Sequence, residues 1–386
     1  LAGMTDYLRY LPLPFELSQT LIQLDPRGHV AGFEVGQDQG EWYAQSALEG
    51  ASVTAWNEIP GGGPVDAWVT FRGRGGTVSF AGNDSTQFSI PIVYADPLDL
   101  SHASGQIDFE LTQQGAVISG ENLEAGWRGA GAEGRFGLTL YDARDKPGTF
   151  LLDLAFANAD ARNSRVLSWL PTRVIDDEQL REWFGGDIGG IVKQGKLGLS
   201  VTLSDKEAPE GKMFVNPDDY FTLSLDVADG RLQYAPEWPA LERVYGHLQM
   251  ENMNLDADIE HATSHGLTTR NAVVKLADKQ LTIDGDVDGS SGGVLDFLAH
   301  APLESMSETF GRWQSEGAVN ARLHVAMPMT DGSDAETDMA VDIQGQIDAK
   351  RLTFPELQLT LADIGGDLRY RREKGEDYVT GNLNAR

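Results

Sequence analysis

Cysteine is absent from the 386 residues of this chain. Without thiols the protein cannot form disulfides, use a thiolate nucleophile, or build cysteine-based zinc and iron–sulfur sites. The chain is long enough to bury a large apolar core, so its stability does not require such supports. The lack of cysteine does not identify a cellular compartment.

Basic residues are scarce. The chain has 30 Lys and Arg against 59 Asp and Glu, which gives a formal net charge of −29. An electrostatic field of this sign repels phosphate backbones and anionic membrane surfaces. We therefore expect no nucleic-acid partner, although acidity alone does not identify a function.

Long hydrophobic runs are also missing. No stretch approaches the roughly 18 consecutive apolar residues of a membrane span, and no signal peptide is recognisable. The chain begins at Leu1, and its last residues, Gly381–Arg386, still alternate as a strand does. We expect an internal fragment of a longer protein, with the targeting information outside it.

Alternation of apolar and polar residues with a period of two dominates the sequence. Each run places its apolar side chains on one face of a strand and its polar side chains on the other. Clusters of Gly, Asn, Asp and Pro separate the runs, and the pattern predicts antiparallel sheet with one dry face. Three of the clearest runs contain Leu197, Leu199, Val201, Leu203, Phe221, Leu223, Leu225, Val227, Val319, Leu323 and Val325.

Short helical signals recur along the chain, each ended by proline. They lie at Asp6–Pro12, Val166–Pro171 and Val294–Pro302, and a second helix is expected at 176–184 and at 303–313. A glycine-led amphipathic strand follows each signal. These strands lie at Gly28–Val35, Gly195–Leu203 and Gly317–Met327.

A second marker recurs as well, with the pattern Gly, polar, aliphatic, polar, large apolar. It begins at Gly105, Gly246 and Gly366. Two markers that recur in the same order predict a repeated multi-strand unit joined by helical crossovers. Chance meanders in an array of β-sandwiches are the alternative.

The two markers divide the chain into three predicted β-groove units. The first spans 1–160 and carries an N-terminal helical crossover. The second spans 161–290 and opens with helices near 164–184. The third, which is incomplete, spans 291–386 and opens with helices near 294–313.

Residue patterns typical of catalysis are missing. The sequence has no Gly-x-Ser-x-Gly elbow and no phosphate-binding loop. The carboxylates are too numerous for any one pair to stand out as a glycosidase pair. We expect no enzymatic activity and no cofactor.

Two patterns bear on metal binding. His261 and His265 are four residues apart, but the segment lacks the Glu of a zinc-protease motif and predicts a surface pair. Asp284–Gly289 resembles the first half of a calcium loop, yet Leu295 stands where a bidentate Glu belongs. We interpret this segment as a strand, with Leu281 and Ile283 inward, that ends in an acidic turn, and we predict no metal site.

An amphipathic sheet must bury its apolar face. It can pack against a second sheet, close into a barrel, or curl around a ligand that is not protein. The inward positions here mix large residues with many Ala, Gly and Thr, and the helical segments are too short to cover a sheet. The sequence therefore predicts a mainly β fold: a long, twisted, curled antiparallel sheet, shaped like a taco, with a few short helical crossovers. Acyl chains could bind in its groove through burial alone.

The crossover segments resemble the AsmA-like family, and within it the YhdP type. The resemblance is carried by Asp6–Pro12, Trp169-Leu170-Pro171 and Phe297–Pro302, each followed by a Gly-led strand. The run Tyr234–Leu241, leading to Gly246-His247-Leu248, is similar to the central region of that type. The part that matches best is Asn163–Leu255.

The resemblance implies a bridge-like lipid transport protein. Members are anchored in the inner membrane by an N-terminal helix, cross the periplasm of diderm bacteria and carry phospholipid toward the outer membrane. This fragment would belong to the periplasmic bridge, with the anchor outside it and an outer-membrane partner of unknown identity. No catalytic residue carries over.

The eleven strand residues from Leu197 to Val325 are the candidate groove lining under this resemblance. The alternative interpretation is that these residues belong to an ordinary packed core. The alternative function is an extracellular β-sandwich adhesin or carbohydrate-binding array, for which Asp284, Asp286 and Asp288 would supply a calcium site. A glycan-active enzyme is the third possibility.

Overall fold

The computed structural model describes residues 23–56, 60–91, 94–143, 146–162, 169, 187–203, 214–233, 239–300, 311–328, 339–373 and 375–385. Over these ranges the chain forms strand after strand, with one ten-residue α-helix and a short 3-10 turn. The prediction of a mainly β fold is confirmed.

Eight strands precede the second helical signal of the sequence. They are β1 (Arg27–Asp38), β2 (Glu41–Val53), β3 (Gly61–Arg72), β4 (Gly75–Ser89), β5 (Leu98–Leu111), β6 (Gly115–Trp127), β7 (Ala130–Tyr141) and β8 (Gly148–Asp160). The strands that follow are β9 (Ile188–Leu203), β10 (Tyr220–Leu232), β11 (Leu241–Glu251), β12 (Asn254–Ser264), β13 (Leu267–Ala277), β14 (Gln280–Ser290), β15 (Gln314–Pro328), β16 (Ala340–Phe354), β17 (Leu359–Glu373) and β18 (Glu376–Asn384). Helix α1 (Ser291–His300) joins β14 to β15.

Strands β1 to β8 form an antiparallel sheet in which each strand pairs with the next along the chain, and strands β11 to β18 are arranged in the same way. Two-residue turns connect several of the hairpins, at Gln39–Gly40, Arg128–Gly129, His265–Gly266 and Asp278–Lys279. Both residues of each turn have positive φ. Type I′ turns need this backbone, and their twist matches that of the flanking strands.

The glycine-led strands predicted from the sequence lie where they were expected. Gly28–Val35 falls within β1 and Gly317–Met327 within β15, whereas Gly195–Leu203 is only the second part of β9. Helix α1 confirms the helical signal at Val294–Pro302, although it begins three residues earlier.

The other predicted helices fall largely on residues outside the described part of the chain. This applies to Asp6–Pro12, to 176–184 and to most of 166–171 and 303–313. The end of the last segment is described, and residues 311–313 are not helical.

The chain separates into two compact units. The first consists of Leu1–Asp160, Leu167–Arg181 and Gln194–Thr222, and the second of Ala161–Val166, Glu182–Lys193 and Leu223–Arg386. Strands β1–β8 lie wholly in the first unit, and β11–β18 with α1 lie wholly in the second.

Each unit contains a strand interrupted by an asparagine in the left-handed region. Asn122 of β6 has a φ of 50° and Asn271 of β13 a φ of 54°. The register shifts at both places, between Gly120 and Leu123 against β7 and between Arg270 and Val273 against β14. Such bulges bend the strand and increase its local twist.

The buried apolar residues are mostly small. They are Leu100, Ala103, Ala159, Ala228, Val244, Ala257, Ala262, Ala272, Ala349 and Ile364. Among the described residues, no large side chain is completely removed from solvent. An ordinary packed core buries its Leu, Ile and Phe side chains, so the large apolar residues here occupy a different environment.

Candidate functional site: the apolar face of the sheet

In the first unit, apolar residues of successive strands form rows across one face of the sheet. Residues directly opposite each other in antiparallel strands share a face. One row crosses β2 to β8 and consists of Ala44, Phe71, Gly76, Phe109, Ile118, Leu138 and Phe150. The adjacent row consists of Ser46, Val69, Val78, Ile107, Gly120, Phe136 and Leu152. All of these residues are half-buried except Gly120, which is buried.

Phenylalanine rings on this face lie over glycines of the neighbouring strand. A methyl group added at Gly120 would overlap the ring of Phe136, and one added at Gly76 would lie 2.7 Å from the ring of Phe109. Phe71 and Phe109 stack across Gly76 with ring centroids 6.4 Å apart. The rings therefore lie down on the sheet and cover backbone that glycine leaves bare.

In the second unit the rows are mainly aliphatic. One crosses β11 to β16 with Leu248, Ala257, Val274, Ile283, Val325 and Val341. The next consists of Met250, Leu255, Leu276, Leu281 and Met327. A third runs through Gly285, Leu323, Ile343, Tyr370 and Val379.

The opposite face of the second unit carries charged cross-strand pairs. Asp284 lies 2.7 Å from Nδ1 of His324, and Asp286 accepts a 3.0 Å hydrogen bond from Nε of Arg322. The expectation that an acidic turn follows Ile283 is wrong, because β14 continues to Ser290. The aspartates find cationic partners on β15 and remain in regular strand.

Asp342 of β16 extends this charged face. The guanidinium of Arg369 binds both carboxylate oxygens of Asp342. This pairing, with a smaller contribution from Arg371, lowers the pKa of Asp342 below its ordinary value. Bidentate contacts of this kind favour the ionised carboxylate and hold the polar face in a fixed register.

The polar face of the first unit combines neutral hydrogen-bond donors with a charged cross-strand pair. The carboxylate of Asp108 accepts hydrogen bonds of 2.5 Å from Thr77 and 2.9 Å from Gln106. The bond from Thr77, followed by that from Gln106, lowers the pKa of Asp108. Arg135 and Asp153 form an ion pair of 2.8 Å on neighbouring strands.

A depression of about 590 Å³ surrounds this ion pair in the first unit. Its lining includes Glu121, Glu124, Glu133 and Lys196 as well as a few leucines. Charged side chains lose their hydration when an acyl chain covers them. The depression is therefore a poorer candidate for an apolar ligand than the rows described above.

All eleven residues predicted to line a groove lie on strands, in β9, β10 and β15. Ten are half-buried, and Leu203 is 42% exposed. Gly195 lies beneath the ring of Phe156, which places the alternate residues that follow it in β9 on the apolar face. Asp226 pairs with His247 on the polar face, so Leu225 and its alternate neighbours point to the apolar side. Their contact with lipid stays a prediction.

Tryptophans make aromatic contacts in both units. Trp169 packs edge-on against Trp127 with centroids 4.9 Å apart, and Tyr94 donates a 3.1 Å hydrogen bond to the carbonyl of Trp169. Burial raises the pKa of Tyr94. Trp313 packs against Phe354 at 4.6 Å.

Sequence reasoning missed Tyr94 and Trp127, because neither stands near a helical signal. Trp183 and Trp238 lie outside the described residues. In the described part of the chain, no helix combines the length and hydrophobicity needed to cross a bilayer.

Comparison with known proteins connects this architecture to one family. A family model described as YhdP protein matches residues 1–379. The intermembrane phospholipid transporter YhdP of Escherichia coli (strain K12) is 23% identical over 278 residues. The match covers 71% of this chain and 21% of that relative, so the chain spans about a fifth of its length. No solved structure matches the chain significantly.

Proposed function

Since the chain belongs to the YhdP protein family, we propose that it is a segment of a phospholipid transporter whose apolar sheet face carries acyl chains. The relative in Escherichia coli is an intermembrane phospholipid transporter. In this proposal the transported lipid lies along the rows of apolar residues, and the head group stays in contact with water.

The observation that carries the proposal is the mismatch between the core and the apolar face. The buried apolar residues are mostly alanines, while Phe, Ile, Leu and Val in continuous rows stay half-exposed. Continuous apolar surface of this kind marks a binding site when it recurs across many strands. A sandwich array would instead pack two sheets face to face with interlocked large side chains.

Burial alone supplies enough free energy for such a ligand. Each methylene transferred from water contributes about 0.8 kcal/mol, so ten methylenes contribute about 8 kcal/mol before the entropy of immobilisation is subtracted. Since this term depends on area and not on specific polar contacts, a lipid can shift from row to row at little change in free energy. A transport surface requires this property.

The finer features of the proposal come from the family. The fragment would belong to a periplasmic bridge anchored in the inner membrane of a diderm bacterium and built from three β-groove units, at 1–160, 161–290 and 291–386. The charged cross-strand pairs suit this role, because they keep the opposite face in water.

A photo-crosslinking experiment tests the proposal at neighbouring positions. Ile343 lies on the apolar face and Gln344 on the polar face, and both belong to β16. Benzoyl-phenylalanine at position 343 should give phospholipid adducts detectable by mass spectrometry in the natively produced protein. The same group at position 344 should give none, and equal labelling at both positions would refute the proposal.

A charge substitution gives the second test. Ile343→Glu places a carboxylate in the apolar rows and should lower bound lipid at least about tenfold, because the charge must be desolvated under an acyl chain. Gln344→Glu is the matched control, since position 344 lies on the polar face opposite Arg322 and Arg369. Lipid is quantified in organic extracts of both variants.

A further inference from the structure

Two imidazoles and one carboxylate meet in the second unit, in a cluster that belongs to none of the apolar rows. His265 comes from the turn between β12 and β13, and Asp296 and His300 come from α1. One ligand atom from each residue lies within 4.8 Å of the other two. We propose that these side chains form a binding site for a divalent transition-metal ion, for which zinc is the best fit.

Glycine allows the helix and the turn to approach closely. Ser290 caps α1 by accepting a 2.9 Å hydrogen bond from the backbone N–H of Gly293. A methyl group added at Gly293 would lie 2.6 Å from the carbonyl oxygen of His265. Residues 293, 296 and 300 share one face of a helix, so this contact brings Asp296 and His300 over the turn.

Ring contacts confirm that the two elements pack together. The ring of His265 lies 5.0 Å from that of His300, and it meets Phe297 edge-on at 6.3 Å. The apolar ring of Phe297 covers one side of the cluster. The position of His265 is therefore set by the turn backbone and by packing.

The hydrogen bonds of His300 fix its tautomer. Nδ1 lies 2.8 Å from the backbone carbonyl oxygen of Asp296 and 3.4 Å from a carboxylate oxygen of the same residue. A carbonyl can only accept, so Nδ1 carries the proton and Nε2 of the neutral ring keeps its lone pair. Donation of the second ring N–H to a backbone carbonyl is the usual arrangement of a metal-binding histidine.

The hydrogen bonds of His265 lead to the same tautomer. Ser264 donates its hydroxyl proton to the carbonyl of Ala240 at 3.0 Å. The hydroxyl oxygen of Ser264 also lies 3.2 Å from Nδ1 of His265. Because its proton is already donated to Ala240, this oxygen can only accept a hydrogen bond from Nδ1. Nδ1 of His265 is thus the donor, and its Nε2 is also left with a lone pair.

The donor set fits zinc. Two imidazole nitrogens and one carboxylate oxygen with one open position are a common zinc arrangement, with bonds of about 2.0–2.2 Å and ligand atoms about 3.3 Å apart. The side chains of Asp296 and His300 are 54% and 59% exposed, so they have room to close from the observed spacing. A bound ion would tie α1 to the β12–β13 turn.

The grouping of three ligand-bearing side chains distinguishes this cluster from the other exposed histidines in the described part of the unit. His324, for comparison, pairs with the carboxylate of Asp284 through Nδ1. It contributes to no cluster of three metal-ligating groups among the described residues. His324→Gln is therefore the matched control.

Calorimetric titration of the chelator-treated full chain with zinc chloride tests the proposal. We expect one site per chain, bound at least about tenfold more weakly in the His265→Asn, His300→Gln double variant. Asn suits the left-handed backbone of position 265, whose φ is 48°, and Asn-Gly is favoured in such turns. The double variant should therefore keep its fold, which circular dichroism checks.

Cobalt(II) provides a second readout, because its visible absorption reports tetrahedral nitrogen and oxygen ligands. The wild-type chain and His324→Gln should both show this absorption with one equivalent of cobalt. Equal zinc affinity in the wild type and the double variant, or loss of binding in His324→Gln alone, would overturn the assignment.

Discussion

The apolar faces of the two units are built from different residues. In the first unit, phenylalanines such as Phe109 and Phe136 lie over glycines of neighbouring strands. In the second unit, the rows consist of β-branched and aliphatic residues such as Ile283, Val325 and Ile343, each opposite another side chain of similar size. Both arrangements leave half-buried apolar side chains on one face of the sheet.

The difference shows that the backbone of an apolar face can be covered in two ways. A ring that lies flat over glycine covers two strands at once, so the surface depends on having no side chain beneath it. Rows of Val and Ile instead cover the backbone with stiff, compact side chains that suit a pleated sheet. Substitutions that look alike should therefore have unequal effects in the two units.

Removing one ring should have the largest effect. Phe136→Ala exposes the backbone at Gly120 and removes a half-buried ring, so we expect a loss of about 2–3 kcal/mol. Val325→Ala in the second unit removes two methyl groups and should cost about 1–2 kcal/mol. Native-state hydrogen exchange of the amides in β6 and β14 measures both losses locally, and equal losses would contradict the comparison.

Adding one methyl group sharpens the comparison further. Gly120→Ala must displace the ring of Phe136, which should destabilise the first unit by about 1–3 kcal/mol. Gly345→Ala meets the methyl group of Ala321 at 3.3 Å and the backbone carbonyl oxygen of Asn320 at 3.4 Å, and the reduced flexibility of the unfolded chain offsets these contacts. We expect the second variant to stay within about 0.5 kcal/mol of the wild type.

The urea dependence of fluorescence reports the Gly120→Ala effect, and hydrogen exchange in β15 and β16 reports the Gly345→Ala effect. If the ring of Phe136 can rotate away freely, the two variants will be equally stable. That result would show that the ring does not cover the glycine in solution.

The smallest of the expected effects is a difference between the two polar faces in how carboxylate pKa values respond to salt. The pKa values of Asp108 and Asp342 are both lowered, the first by Thr77 and Gln106 and the second chiefly by Arg369. Each carboxylate therefore stabilises the fold above pH of about 4, and the contribution is lost as the pH falls through the lowered pKa.

Salt separates the two causes. At about 1 M salt the screening length falls to about 3 Å, so the pKa of Asp342 should rise toward its ordinary value while that of Asp108 changes little. Carboxyl carbon NMR titrations at low and high salt measure both values. Equal shifts would show that the neutral donors to Asp108 are not what lowers its pKa.

The sequence predicted the strands well because their signal is local. Alternation over Gly317–Met327 is sufficient to place β15 and to assign Leu323 and Val325 to one face. Prediction from the sequence failed where the residue that pairs with a side chain lies far along the chain. Asp284 stays in a strand because His324, forty residues later, lies beside it.

The candidate sites show the same limit. Alternation identified which residues of β9, β10 and β15 share a face, but the pairing of Gly76 with Phe109 depends on register that no local pattern encodes. His265 was paired with His261 from their spacing. In the structure His261 instead faces Arg270 across the hairpin, and the partner of His265 is His300 on α1.

The order of strands has a consequence for how the molecule is made. Because each strand pairs with the strand that follows it, a hairpin such as β12–β13, closed by the two-residue turn His265–Gly266, needs nothing from the rest of the chain to take up its register. Contacts between close sequence neighbours form quickly. The chain can therefore fold hairpin by hairpin in the direction of synthesis, and evolution can lengthen it by whole hairpins without disturbing those already formed.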